Sequence, residues 1–237
     1  MTEAFGLSDT GCVRANNEDC YRLAPELGLF LLADGMGGAK AGERASELAV
    51  ETVTANLREA SQRDSQALLR AVEAANSCVL ELAKNDPRLE GMGTTLVAAL
   101  EVGEDLVIAS VGDSRAYVLD SESFRAITED QSWINEVGRP LGLDEASLRI
   151  HPLRNVLTMA IGASSHLVVN CYSVPWRQGS LALLSSDGLH GVVGRDDLEQ
   201  ILRAPEPLDV KCQRFIEAAR AAGAPDNVTA VLLRRWD

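Results

Sequence analysis

The sequence lacks several features on which common functions depend. No apolar run approaches the roughly 18 residues that a spanning helix needs; the longest, including 29–33 and 181–184, fall far short, so no membrane association is expected. The opening Met1-Thr2-Glu3-Ala4-Phe5 has no basic stretch followed by an apolar one, which argues against a secretory leader. Cysteine is scarce and unpatterned. Cys12, Cys20, Cys78, Cys171 and Cys212 are odd in number and include no C-x-x-C pair, so neither a disulfide framework nor a structural zinc site is expected, and a reducing cytoplasm is the simplest compartment. The three histidines, His151, His166 and His190, are too scattered for a typical catalytic zinc centre. Positive charge is also short: 22 Lys plus Arg face 35 Asp plus Glu, a formal charge of −13, and such a surface repels nucleic acid.

What is present is globular material, 46% hydrophobic and 24% charged over 237 residues. Without a Gly/Ser- or Pro-rich linker or an internal repeat, a single domain over 1–237 is expected. Strand-like pieces at 4–8, 20–23 and 28–33 give way to helical periodicity over 41–57 and again over 68–82, the second helix stopping before Asp86-Pro87. Short β-rich runs then form a strand meander over 94–127. Residues 130–165 carry Gly138, Pro140, Gly142 and Pro152 and form an irregular excursion. Strands return at 167–174 and 179–185, helices follow at 195–202 and 208–222, and a last strand covers 228–233. Two consecutive helices among hairpin-linked strands, with more helix later, indicate an α+β fold in which antiparallel sheets pack together under outer helices.

The carboxylates fall in a positional pattern. The apolar runs 29–33, 106–111 and 181–184 lead into Asp34-Gly35, Gly112-Asp113 and, through two serines, Asp187-Gly188, whereas Asp226 precedes its strand. In an antiparallel sheet the start of one strand lies beside the end of its neighbour, so all four carboxylates can converge on one edge. Gathered there without a cation they would repel one another and hold protons. A hard divalent ion relieves this, and Mg²⁺ or Mn²⁺ suits oxygen ligands. The glycines after Asp34 and Asp187 would let the backbone turn sharply and bring a carbonyl close. Any single Asp-Gly also reads as an ordinary turn, and Arg14 by itself as a solvated surface residue; spacing alone leaves both readings open.

Seven segments together carry a resemblance: Arg14-Ala15-Asn16-Asn17-Glu18-Asp19, Ala33-Asp34-Gly35-Met36-Gly37-Gly38, Gly91-Met92-Gly93-Thr94-Thr95, Gly112-Asp113-Ser114-Arg115-Ala116-Tyr117, Asn155-Val156-Leu157-Thr158, Ser186-Asp187-Gly188-Leu189 and Asp226-Asn227-Val228-Thr229. In order and register the chain resembles the PP2C-type (PPM) metal-dependent protein serine/threonine phosphatases of bacterial type over about 6–233. The resemblance implies a four-layer α-β-β-α sandwich with a flap-like excursion at about 130–165. It implies that Asp34 bridges two Mn²⁺ or Mg²⁺ ions, that the Gly35 carbonyl binds one and Asp187 and Asp226 the other, and that Asp113 holds a third, weaker one. Glu18 and Asp19 would hold metal-bound waters and Arg14 would clamp the phosphate. The implied chemistry is direct attack on phosphorus by a metal-bridging water, without a phosphoenzyme. Phosphorylated proteins, a Ser/Thr kinase and its targets, are the implied partners, and a monomer is expected.

Two departures from the family pattern stand out. Met36 occupies a position where many eukaryotic relatives carry a histidine proposed as proton donor, which leaves His190 as a candidate, and Asp130-Gln131-Ser132 replaces a commoner Asp-His-Ser. Met36 otherwise reads as a packing residue, Trp133, Trp176 and Trp236 as core or rim aromatics, and the cysteines as small buried hydrophobes. A catalytically idle binding or sensing module, or a metallophosphatase of small phosphoesters, are the alternatives.

Overall fold

The computed structural model describes residues 1–37 and 41–236; Gly38, which ends the Asp34 motif, lies outside the described residues. In chain order the strands are β1 (Thr2–Asp9), β2 (Asp19–Ala24), β3 (Leu29–Met36), β4 (Gly93–Thr94), β5 (Leu96–Val102), β6 (Asp105–Val111), β7 (Arg115–Leu119), β8 (Phe124–Ala126), β9 (Asn170–Pro175), β10 (Leu181–Ser185) and β11 (Val228–Arg235). The α-helices are α1 (Ala41–Glu59), α2 (Ser65–Asn85), α3 (Glu145–Ile150), α4 (Asp187–His190), α5 (Arg195–Arg203) and α6 (Leu208–Ala221). One sheet runs β1-β11-β10-β7-β8 and the other β2-β3-β5-β6-β9, with β4 paired to β3.

The layers follow from side-chain alternation along strands that are apolar on both faces. In β3, Leu29, Leu31 and Ala33 face α1 and α2, where they meet Ala45, Val53 and Val72, while Phe30 and Leu32 face the other sheet. In β10, Leu184 and Ala182 meet Phe30 and Leu32 in that middle layer, and Leu181 and Leu183 pack under α5 and α6 with Phe215 and Leu202. Helix, sheet, sheet and helix therefore stack in four layers, as the resemblance implied. α2 starts at Asp64, whose carboxylate accepts from the Ala67 N–H at 2.8 Å, and it ends before Pro87 as expected.

Four local expectations are corrected. The runs 106–111 and 115–119 do not meander within one sheet; β6 and β7 belong to different sheets, and the chain crosses at Gly112, whose φ is +91°. β3 does not end at Ala33, because Gly35 and Met36 pair with Thr94 and Gly93 of β4 and extend the strand through Asp34. The strand expected from 167 begins at Asn170. Residues 130–165 hold more structure than their Gly and Pro content suggested: a π-helical turn at Ile134–Gly138, α3, and Trp133 stacked on His151 with centroids 4.0 Å apart.

At the end of the sandwich away from Asp34, Glu101 of β5 accepts from Trp176 Nε1 at 3.0 Å, Arg235 Nη1 at 2.9 Å and the Thr2 hydroxyl. Thr2 and Arg235 belong to the other sheet, so this carboxylate fastens the two sheets together. Glu101→Ala should lower the free energy of unfolding in urea by about 2 kcal/mol, because it removes the acceptor of the Arg235 guanidinium and leaves the buried Trp176 indole N–H only its longer contact to Thr2 Oγ1 at 3.2 Å. A loss below a few tenths would show that the clasp is dispensable.

Candidate metal and phosphate site

The sheet registers bring the acidic residues together. Asp19 lies directly across from Asp34 in the β2–β3 pair. In the other sheet Ser185 lies opposite Ala230, which sets Asp187, the first residue of α4, beside Asp226, two residues before β11. Asp113 sits in the crossing between β6 and β7. Arg14 and Glu18 lie on the loop between β1 and β2. A cavity of about 680 Å³ is lined by Arg14, Glu18, Asp34, Gly35, Asp113, Asp187 and Asp226, and Asp19 is buried beside it. A larger groove of about 1060 Å³ lies at the opposite end, among the 119–125, 175–181 and 202–206 segments, and gathers no comparable set of buried carboxylates.

Glycine serves close approach here, not a turn. A Cβ at Gly35 would stand 2.2 Å from Gly42 O and 2.7 Å from Glu18 O, so its absence lets α1 and the 10–18 loop close on β3. A Cβ at Gly188 would stand 1.9 Å from Asn227 O. The two Asp-Gly pairs therefore admit a second stretch of backbone beside each aspartate.

The electrostatics show how costly this gathering is. Burial, then the charges of Asp19, Asp187, Asp113 and Asp226, hold the Asp34 carboxyl well above the usual range. Burial pushes Asp113 up to about 7, with Asp187 and Asp130 adding to it. Asp19 is pushed to about 7 by burial, although Thr229 Oγ1 at 2.6 Å and Ser186 Oγ at 2.8 Å donate to its Oδ2. Burial and the Asp226 charge raise Asp187, and burial raises Glu18. Arg14 Nη2 lies 2.6 Å from Asp226 Oδ2, and that hydrogen bond and charge raise the pKa of the guanidinium.

Among the described residues, two buried carboxylate oxygens, Asp19 Oδ1 and Asp187 Oδ1, have no hydrogen-bond partner. Such atoms are rare in native proteins and point to a missing ion or water. Among the described residues no three His, Cys, Asp or Glu side chains close into one ready-made ligand set. Carboxylates spread around a cavity, with orphaned oxygens among them, fit hard divalent ions that retain several waters.

The family model for protein phosphatase 2C matches residues 14–232. The chain belongs to the protein phosphatase 2C family. Serine/threonine phosphatase stp of Listeria innocua is 34% identical over 236 residues, covering 96% of this chain and 94% of that protein. The crystal structure of the Mycobacterium tuberculosis serine/threonine phosphatase PstP superimposes with a TM-score of 0.90 at 34% identity, covering 100% of this chain and 99% of the other. A PstP catalytic domain in complex with two manganese ions gives a TM-score of 0.86 at 35% identity, with coverage of 100% and 99%.

Within this protein phosphatase 2C fold, sequence reasoning missed the residues that hold the acids. Thr95 Oγ1 accepts from the Asp34 N–H at 3.0 Å and shares a hydrogen bond with Ser114 Oγ at 2.7 Å, while Thr94 Oγ1 donates to Asp34 O at 2.8 Å. Ser186 and Thr229 hold Asp19, and Asn227 holds the 10–18 loop. Ser186 and Asn227 each stand next to an aspartate in a recognised segment, which was a usable signal, whereas Thr94, Thr95 and Thr229 carry none in the sequence. Gln131, in place of the commoner histidine, accepts from the Gly112 N–H at 2.9 Å and donates to Val168 O, tying the excursion to the Asp113 crossing.

Other sequence readings change. His190 is not among the cavity-lining residues; its Nδ1 bonds Ser185 Oγ at 2.8 Å, and burial lowers its pKa well below the usual value, so it is neutral at pH 7 and unsuited to donate a proton there. Met36 lines the cavity. Cys12 and Cys171 are exposed, Cys20 and Cys78 half-buried, and only Cys212 is buried, because β9 is an edge strand and Cys12 sits on an open loop. Trp176 is buried, whereas Trp236 is half-exposed and packs against the Arg234 guanidinium. No helix among the described residues is long and apolar enough to cross a membrane.

Proposed function

We propose that this member of the protein phosphatase 2C family hydrolyses phosphoserine and phosphothreonine esters on proteins, with Mn²⁺ or Mg²⁺ held in the acidic cavity. The observation that carries the reading is the convergence of Asp34, Asp113, Asp187 and Asp226 on one cavity beside Arg14, with buried carboxylate oxygens that no described residue partners. Asp34 and the Gly35 carbonyl would serve one ion, Asp34, Asp187 and Asp226 a second, and Asp113 a third. Asp19 and Glu18 would act through water. Ions bound there would supply Lewis acidity toward the phosphoryl oxygens and make water acidic enough to attack near neutral pH, so the ester is hydrolysed directly.

The chain's own contribution is positional and electrostatic. Arg14, half-exposed at the cavity, offers a planar donor fork to the equatorial phosphoryl oxygens. The Thr95 and Thr94 hydroxyls fix the backbone on both sides of Asp34, so its carboxylate is aimed before substrate arrives. The apolar wall of Met36, Val156, Leu157 and Met159 limits water on the excursion side. We further read the chain as one domain with 130–165 as its flap, acting as a cytoplasmic monomer against a Ser/Thr kinase. The relatives' activity and the five free thiols support that reading.

Purified protein assayed on phosphothreonine peptides, p-nitrophenyl phosphate and sugar phosphates, with Mn²⁺ and with EDTA, tests the proposal. Metal-dependent turnover that favours the peptides is expected. Chelator-insensitive turnover would sink the metal mechanism, a preference for sugar phosphates would reassign the substrate, and calorimetry without Mn²⁺ binding at millimolar metal would revive an idle binding module.

A further inference from the structure

The loop that carries Arg14 has little packing to hold it. Residues 12–16 are all exposed, and Val13 keeps 72% of its surface in water. An apolar core cannot fix a guanidinium on such a segment, so its position depends on hydrogen bonds at the loop's ends. Three of these converge on one side chain, while Glu18 O is held separately by the Gly35 N–H at 3.1 Å and Ser46 Oγ at 2.7 Å. Asn227 Nδ2 donates to Thr10 O at 3.0 Å and to Asn16 O at 2.8 Å, and Asn227 Oδ1 accepts from the Glu18 N–H at 2.8 Å. A nine-residue stretch with Arg14 at its centre is thus clasped by a single amide. The amide orientation is forced, since the flipped group would set its oxygen against two carbonyls and its NH₂ against an N–H.

We infer that Asn227 is the positioning residue of the phosphate clamp: it sets where Arg14 stands. Asp226 Oδ2 takes Arg14, and Asp226 Oδ1 accepts from the Asn227 N–H at 2.9 Å, so neighbouring side chains grip the middle and the ends of the same loop. The Arg14–Asp226 contact gives way to a metal ion at Asp226 or a phosphate at Arg14, whereas the Asn227 bonds depend on neither. Further contacts, Cys12 N–H to Ala224 O at 2.9 Å and Asn17 Nδ2 to Ser8 Oγ at 2.7 Å, steady the flanks. The chemistry is specific to an amide with this reach. Aspartate would keep the acceptor, lose both donors and face two carbonyls with a charge. Alanine would lose all three bonds. This inference rests on the reading of Arg14 as the clamp.

The test compares Asn227→Ala, Asn227→Ser, Arg14→Ala and the Arg14→Ala/Asn227→Ala double variant, in the full chain with Mn²⁺. For Asn227→Ala, KM for a phosphothreonine peptide and the inhibition constant of inorganic phosphate should both rise by roughly ten- to a hundredfold, with kcat changed less. The double variant should be no worse than Arg14→Ala, because both act through one guanidinium. In metal-free protein, hydrogen exchange over 10–18 should accelerate at least tenfold in Asn227→Ala, with the sheets unchanged. Calorimetric Mn²⁺ affinity should stay within a few-fold of the parent.

Effects that multiply in the double variant, or phosphate inhibition unchanged in a folded Asn227→Ala, would overturn the inference. So would loss of Mn²⁺ binding in both Asn227 variants, which would make the residue a support for Asp226, or global melting of both, which would make it a determinant of the fold. If Arg14→Ala alone leaves phosphate inhibition unaltered, the clamp reading fails and takes this inference with it.

Discussion

Asp34→Asn should reduce turnover of p-nitrophenyl phosphate at saturating Mn²⁺ by about 10³-fold, and the same substitution should raise the melting temperature of the metal-free protein at pH 8. The opposite signs share one cause. Asp34 is buried among Asp19, Asp187, Asp113 and Asp226, and its carboxyl is held well above the ordinary range. Without a cation the fold must keep a proton there or tolerate clustered charge, and the neutral amide removes that demand. With a cation, the amide forfeits a charged oxygen ligand. Sites built for function are commonly stabilised by the mutations that disable them. Thermal melts with and without EDTA, alongside initial rates, check both halves. A variant retaining more than a tenth of the activity, or melting lower than its parent without metal, would contradict the reading of Asp34 as the central carboxylate.

The second large effect is a pH dependence of stability that metal should reverse. Asp19 and Asp113 are each pushed to about 7 in the folded chain, whereas an aspartate in an unfolded chain titrates near 3.9. Between those values the folded state holds protons that the unfolded state has released, so stability falls as pH rises through that window and levels off above about 7. Asp34 and Asp187 shift in the same direction. The lowered carboxylates, Asp86, Asp120, Asp144 and Glu145, act oppositely and over a lower pH range. Metal and protons compete for the same oxygens. Differential scanning fluorimetry should therefore show a metal-free melting temperature that declines from pH 5 to 7.5, and an Mn²⁺-induced rise that is small at pH 5 and large at pH 8. A flat metal-free profile with a pH-independent Mn²⁺ shift would mean that the acids are not jointly buried.

The layers were legible because β3, β6 and β10 are apolar on both faces, and only strands covered on each side can be so. Convergence of the aspartates was legible for a related reason: antiparallel neighbours put strand ends and starts on one edge. The crossing at Gly112 was not, since three residues between strands suit a hairpin as well as a change of sheet, and only the packed partner decides. α3 was hidden although Asp144 accepts from the Ser147 N–H at 2.8 Å as an ordinary N-cap, because the surrounding glycines and prolines spoke for irregular chain. Spacing along the chain could not pair Thr229 with Asp19 or Asn227 with Glu18, which are more than 200 residues apart. His190 misled for the opposite reason. It is near Asp187 in sequence, but a helical turn carries its ring beneath the sheet end to Ser185.

The sandwich is fastened at both ends by acid side chains that bridge the two sheets. Glu101 joins β5 to Thr2 and Arg235 at one end, and Asp19 joins β2 to Ser186 and Thr229 at the other, with the apolar middle layer between them. Hydrogen bonds at opposite ends oppose pivoting and sliding of one sheet against the other. The floor of the cavity thus rests on strands tied at both ends, whereas the arginine loop at 10–18 and the excursion at 130–165 lie outside both ties, so hydrogen exchange should be slowest in the floor and fastest in those two segments.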